Sequence, residues 1–145
     1  MVKVRLRGPH AGDVETLWAT PVDGDHYRLE NSPFFAYGVS WEDVVEAHPG
    51  DDNVLEFTRR VERSGNRTLR VIFDYPSDDP RAEGILRRLR EFRCSYEGMK
   101  PRMITINVPS WVDLDEVTDF LSGRSGLQWE YGDPTYEEVT GGRSA

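Results

Sequence analysis

This sequence is poor in the features that would place it outside the cell or in a membrane. It has one cysteine, Cys94, so no disulfide closes within the chain, whereas small secreted scaffolds carry several. No stretch approaches the roughly 20 apolar residues that cross a bilayer. Residues 1–10 contain Lys3, Arg5 and Arg7, but no apolar segment follows them and no signal peptide is read there. The expectation is a cytoplasmic protein without membrane association. Excess positive charge is also missing. The net charge is −8, which phosphate backbones repel, and no DNA partner is expected.

Catalytic and metal-binding signatures are equally scarce. The three histidines, His10, His26 and His48, stand apart, with no pair spaced to share a helix face. Asp23 with Asp25, and Asp51 with Asp52, read as solvated turns lacking the further oxygens of a calcium loop. No metal site is expected. There is no serine elbow and no glycine-rich phosphate loop, so no cofactor is expected and the chain leans away from the enzymes. Cys94 falls at the end of a predicted helix, where the helix dipole disfavours a thiolate, and it reads as a core residue.

What is present is a foldable domain. The 145 residues include four Trp, six Tyr and six Phe, far more aromatic content than a disordered chain carries. Residues 1–13 read as a lead-in. Residues 14–66 alternate short strands with turns: strands at 14–19, 26–30, 44–47 and 54–62, and turns at 21–25 and 48–53. Ser40 before Trp41, Glu42 and Asp43 reads as one capped helical turn. Ser64-Gly65-Asn66-Arg67 reads as a hairpin turn into a strand at 68–74, shared by both halves.

The rhythm changes at Asp79-Pro80, a helix cap followed by proline at the first helical position. Ala82, Ile85, Leu86, Leu89 and Phe92 then fall on one stripe, predicting a helix over 80–93. Strands follow at 94–97 and 103–108, separated by a turn at 98–101. Asp113 with Glu116 has capping-box spacing, and Leu114, Val117, Phe120 and Leu121 face inward on a helix over 113–122, with Gly123 at its C-cap. A strand at 127–131 closes the pattern. The fold class is therefore α+β: a small N-terminal antiparallel β-barrel-like sheet over 1–66, followed by a ferredoxin-like βαββαβ unit over 67–139. The two halves are expected to form one compact unit, with a flexible tail at 140–145.

Several short signatures resemble one bacterial family. Glu15 to Ala19 (ETLWA), Tyr27 to Asn31 (YRLEN), Pro33-Phe34-Phe35, Gly38-Val39-Ser40 and Asp43-Val44-Val45 resemble the opening of the family called domain of unknown function 4265. Ser64-Gly65, Leu69-Arg70-Val71 and Ile106-Asn107-Val108-Pro109 resemble it further along. The Trp41-Glu42 pair departs from the smaller, turn-forming residues expected there. The resemblance implies the fold and carries no activity.

Two constellations stand out as contact candidates. Phe34, Phe35, Tyr37 and Trp41 place four aromatics in eight residues around Pro33 and Gly38, suited to a ligand pocket or a protein contact. Residues 113–138 hold eight acids against Arg124 alone, and Asp115, Glu116 and Asp119 point away from the apolar stripe of their helix. An opposite patch, residues 80–102, has seven basic residues against three acidic, with Arg81, Arg87, Arg88 and Arg90 on the first helix. Met103, Thr105 and Asn107 on one strand face, and Ile104, Ile106 and Val108 on the other, lack the aromatics of an RNA-binding sheet. The function expected is a non-enzymatic binding protein working by protein–protein contact with a basic partner, an immunity or antitoxin-type inhibitor being one version. The alternative is a small-molecule-binding domain or small tailoring enzyme with a pocket between the halves.

Overall fold

Residue 99 of the computed structural model ends one described stretch, 1–99, and a second covers 101–141. Lys100, within the turn expected at 98–101, and residues 142–145 of the expected tail lie outside the described residues.

Five strands close a barrel: β1 (Val2–Arg7), β2 (Val14–Asp23), β3 (His26–Leu29), β4 (Val44–Pro49) and β5 (Leu55–Glu62). Neighbours pair antiparallel down the chain, and a parallel seam between β1 and β5, Val4 opposite Leu55, closes the ring. The reading of residues 1–13 as a lead-in is thus corrected. Val4 and Leu6 point into the barrel while Lys3 and Arg7 stay outside, the period-2 alternation of a half-buried strand. The barrel core holds Val4, Leu6, Leu17, Ala19, Leu29, Val39, Val45 and Ala47. A leucine buried there contributes about 1.5–3 kcal/mol over an exposed one.

The second sheet contains β6 (Arg67–Phe73), β7 (Ser95–Met99), β8 (Met103–Val108) and β9 (Leu127–Asp133), in the order β7-β8-β6-β9 with every pairing antiparallel. Helices α1 (Pro80–Glu91) and α2 (Leu114–Ser122) connect its strands, and a short α3 (Tyr136–Thr140) follows β9. Leu69, Val71 and Phe73 of β6, Ile104, Ile106 and Val108 of β8, and the buried stripes of α1 and α2 form one apolar core. Both helices therefore cover the same face of the sheet.

Other local expectations are corrected. Residues 64–66 do not turn a hairpin. β5 belongs to the barrel and β6 to the second sheet, and the two do not pair. The crossing is pinned instead, because Ser64 N–H donates to the Asp43 carboxylate at 2.8 Å and the Asn66 side chain donates to the Trp41 carbonyl at 3.0 Å. Ser40 to Asp43 makes a reverse turn rather than a helical one. Asp43 N–H donates to the Ser40 carbonyl, the Asp43 carboxylate accepts from Ser40 N–H, and Glu42 takes a φ of 69° that ends any helical run. β2 runs on to Asp23, with a bulge between Pro21 and Asp23, so the turn expected at 21–25 narrows to residues 24 and 25. β7 likewise continues through Gly98, and Thr140 belongs to α3.

Candidate functional site

The face of the second sheet away from the helices is polar. Alternation along β6 sends Thr68 and Arg70 to that face, and along β8 it sends Thr105 and Asn107 there, all buried. What buries them is the 33–40 loop, whose Pro33 and Gly38 keep it irregular. Arg70 is only 1% exposed. Its Nη1 donates to the carbonyls of Ala36 (2.8 Å) and Pro33 (3.2 Å), and its Nε donates to Glu130 Oε1 at 3.1 Å. Thr105 adds a second donor to the Pro33 carbonyl at 2.9 Å. From the barrel side, Glu15 accepts from the N–H groups of Phe34, Phe35 and Ala36 at 2.8–3.0 Å. A carbonyl-seeking cation below and an N–H-seeking anion above thus clamp one loop. Gly132 leaves room beside them, since a Cβ there would stand 3.1 Å from Arg70 Cζ and press on the guanidinium.

A second polar knot lies deeper between barrel and sheet. Arg60 Nη1 donates to Asp43 Oδ2 at 3.0 Å and to Asp133 Oδ2 at 2.9 Å. Ser40 Oγ donates its one proton to Asp133 Oδ2 at 2.6 Å and so accepts from Thr68 Oγ1 at 2.7 Å. Both aspartates are nearly inaccessible, so the arginine between them supplies the charge compensation that burial demands.

Above this junction a cleft of about 790 Å³ opens at the edge of the sheet. Tyr37, Trp129, Tyr131 and Tyr136 supply aromatic rings, Glu130 and Glu137 carboxylates, and Pro9 and Thr135 complete the lining. Trp129 and Tyr131 meet edge to face with centroids 5.0 Å apart, and the Trp129 indole N–H is held by Ser122 Oγ at 3.1 Å. The Tyr37 hydroxyl donates to Glu130 Oε2 at 2.6 Å, and Arg70 Cζ lies 4.5 Å from its ring centre. Burial, and then the hydrogen bond to Glu130, raise the Tyr37 phenol above its ordinary pKa, so it stays protonated and keeps donating.

β9 is an edge strand. Phe73 N–H bonds toward Arg102 while Asp74 N–H bonds to Gly126. The alternation of an antiparallel ladder then turns the main-chain groups of Leu127, Trp129 and Tyr131 outward, beside the cleft. Past them, Gly38 N–H donates to the Gly132 carbonyl at 2.8 Å, so the loop covers that end of the strand. The lining brings together rings, carboxylates and free strand donors and acceptors, and contains no histidine, cysteine or serine.

The aromatic residues singled out in the sequence do not act as one patch. Tyr37 reaches the cleft. Phe34 lines a separate groove with Glu15 and Leu17, and Trp41 a third, shallow one with Ser95 and Tyr96. Phe35 is half-buried and lines neither the cleft nor these grooves. Asp115, Glu116 and Asp119 are exposed on α2 and enter no ion pair among the described residues. On α1, Arg81, Arg88 and Arg90 pair with Asp79, Glu91 and Glu83, a largely self-neutralised face. Trp129 and Tyr131 escaped sequence reasoning because they alternate with polar residues like any edge strand, and Tyr136 because it opens the unanticipated helix α3. Cys94 is buried in the helix-side core, and burial pushes its thiol up to about 11.

No helix of the described residues is long and apolar enough to cross a membrane. None of the curated proteins compared matches the chain. A solved structure of a hypothetical protein from Neisseria gonorrhoeae is similar in fold, with a TM-score of 0.74 over 90% of this chain and 92% of that one, at 16% identity. The sequence model described as domain of unknown function (DUF4265) matches residues 15–131, and this chain belongs to that family.

Proposed function

We propose that this protein is a non-enzymatic binding module that captures a basic, extended segment of a partner protein at the ring-lined cleft. The observation that carries the reading is the meeting of four aromatic rings, two carboxylates and the open side of β9 in one place. Aromatic faces attract a cation within about 6 Å of the ring, and an adjacent carboxylate strengthens that preference. The outward main-chain groups of Trp129 and Tyr131 suit a strand laid alongside, with alternate side chains of the incoming segment dropping into the cleft. The charge of −8, with Asp115, Glu116 and Asp119 free on neighbouring α2, steers a basic partner toward the molecule. On this reading the second unit is a ferredoxin-like split βαβ sheet using its edge strand as a docking rail. The role that fits best is a small acidic inhibitor of the immunity or antitoxin type, acting in the cytoplasm.

The cleft volume also lies in the range of small-molecule sites, which supports the alternative of a cationic small ligand. One titration separates the two. A short Lys/Arg-rich peptide, an acidic peptide of equal length and tetramethylammonium are added to labelled protein, and the Trp129 indole and β9 amide signals are followed by NMR. The expected result is saturable binding of the basic peptide alone, weakened by added salt and by Tyr136→Ala or Glu137→Gln. Tetramethylammonium binding as tightly as the peptide would favour the small ligand. No binding of either cation, or peptide binding indifferent to both substitutions, would overturn the cleft as the site.

A further inference from the structure

At the far end of the barrel, away from the cleft residues in sequence, the hairpin tip of β2–β3 meets the middle of β4. Val45 and Ala47 point into the core, so Glu46 and His48, at i and i+2, share the outer face. Asp25 is brought over them because Ala47 N–H donates to its carbonyl at 3.0 Å. His48 Nε2 then lies 3.0 Å from Glu46 Oε2 and 3.4 Å from Asp25 Oδ2, and the three ligand atoms all fall within 4.8 Å of one another.

We propose that Asp25, Glu46 and His48 form a site for a divalent transition-metal ion of the zinc class. Ligand bonds of about 2.0–2.2 Å in a tetrahedral shell put neighbouring donor atoms about 3.3–3.5 Å apart, close to the two distances His48 makes. A small swing of exposed Asp25 completes the set. The outer shell is partly built as well: Arg59 Nη2 holds the other oxygen of Glu46 at 3.2 Å, leaving Oε2 to face the ion, the support that ligating carboxylates ordinarily have. Two carboxylates converge here and, among the described residues, Arg59 is the arginine that reaches them, so a cation relieves a standing excess of negative charge. Two oxygens and an imidazole nitrogen favour zinc, cobalt or nickel over magnesium and calcium, which seek all-oxygen shells. His26 sits beside the cluster, its Nε2 3.6 Å from Asp25 Oδ1. Asp25 and His48 are about half-exposed, so an ion enters directly and water completes its shell. Spacing in the sequence hides this site, because the pairing of β3 with β4 brings residue 25 to residues 46 and 48.

The test uses tag-free full-length protein, stripped of metal and titrated with Zn²⁺ alone by calorimetry, and with Co²⁺ followed by its visible absorption. One ion per chain is expected, with a tetrahedral Co²⁺ spectrum. His48→Gln and Asp25→Asn should each weaken binding at least about tenfold, while His10→Gln on a distant turn leaves it unchanged. All three substituted side chains reach the surface, and matching thermal melts will show that the variants fold. Absence of stoichiometric binding, or binding equal in wild type and His48→Gln, would overturn the proposal.

Discussion

The guanidinium of Arg70 sits over Tyr37 with its central carbon 4.5 Å from the ring centre, and both residues bond the same carboxylate, Glu130. A buried cation, an aromatic ring and an edge-strand acid therefore form one unit. This unit ties the 33–40 loop to the sheet and sets one wall of the cleft. Its stability and the shape of the cleft are coupled.

Arg70→Met tests that coupling. The substitution preserves most of the side-chain volume but leaves the Ala36 carbonyl without its donor, the Pro33 carbonyl with Thr105 alone, and Glu130 without its cation. Removing one partner of a buried ion pair costs about 3–5 kcal/mol. Here the upper end is not expected, because the Glu130 side chain is half-exposed and water can replace part of the loss. Urea unfolding should show the loss, and NMR should show the Tyr37 and Gly38 signals moving more than those of the helices.

The helices were legible in the sequence because their signals are local. Asp79 does cap α1, accepting from Arg81 N–H, and Pro80 opens it; Asp113 caps α2 in the same manner, accepting from Asp115 N–H. The reciprocal capping box, however, lies at Thr135 and Glu138 in the unanticipated α3. β1 was illegible for the opposite reason: its partners are β2 and, about fifty residues away, β5, and no local feature announces a parallel seam. Arg70 reads as an ordinary strand arginine until the loop is folded over it. The five-strand ring, Glu15 clamping the loop, and the cluster at Asp25 all depend on contacts of that non-local kind.

The cap of α1 gives a pH-dependent signature. The Arg81 side chain, and then its backbone N–H, hold the Asp79 carboxylate down to about 2, against an ordinary value of 3.8. Because the folded value is the lower one, the cap's contribution is fully present above about pH 4 and fades as pH falls toward 2. Carboxyl NMR titration should give Asp79 the late, low-pH transition, and the amide of Arg81 should shift with it. A midpoint near 4 would show that the cap is not formed in solution.

Cys94 should be inert in the folded protein. Burial raises its thiol to about 11, and the residue sits in the apolar core beneath α1. The nucleophilic thiolate is therefore scarce at pH 8, and the sulfur is sterically covered. Reaction with a thiol-specific reagent should be slow in native buffer and rapid in denaturant. Fast native labelling would place Cys94 at an accessible site.

The end of α1 carries a correctable strain. Cys94 N–H bonds back to the Leu89 carbonyl and Arg93 N–H to that of Arg90, the pair of contacts that closes a helix through a left-handed residue. That residue is Arg93, with a φ of 73°, a conformation glycine adopts without penalty. Arg93 enters no ion pair among the described residues, so its side chain brings little to offset the cost. Arg93→Gly relieves the backbone but also enlarges the freedom of the unfolded chain, and the two effects oppose each other. The left-handed penalty of roughly 1–2 kcal/mol exceeds the entropic loss of roughly 0.4–1 kcal/mol. A net gain of about 0.5–1 kcal/mol is expected, visible as a higher urea midpoint at unchanged slope. Arg93→Ala, which keeps the Cβ that causes the strain, should show no comparable gain, and equal midpoints for the alanine and glycine variants would refute the backbone explanation.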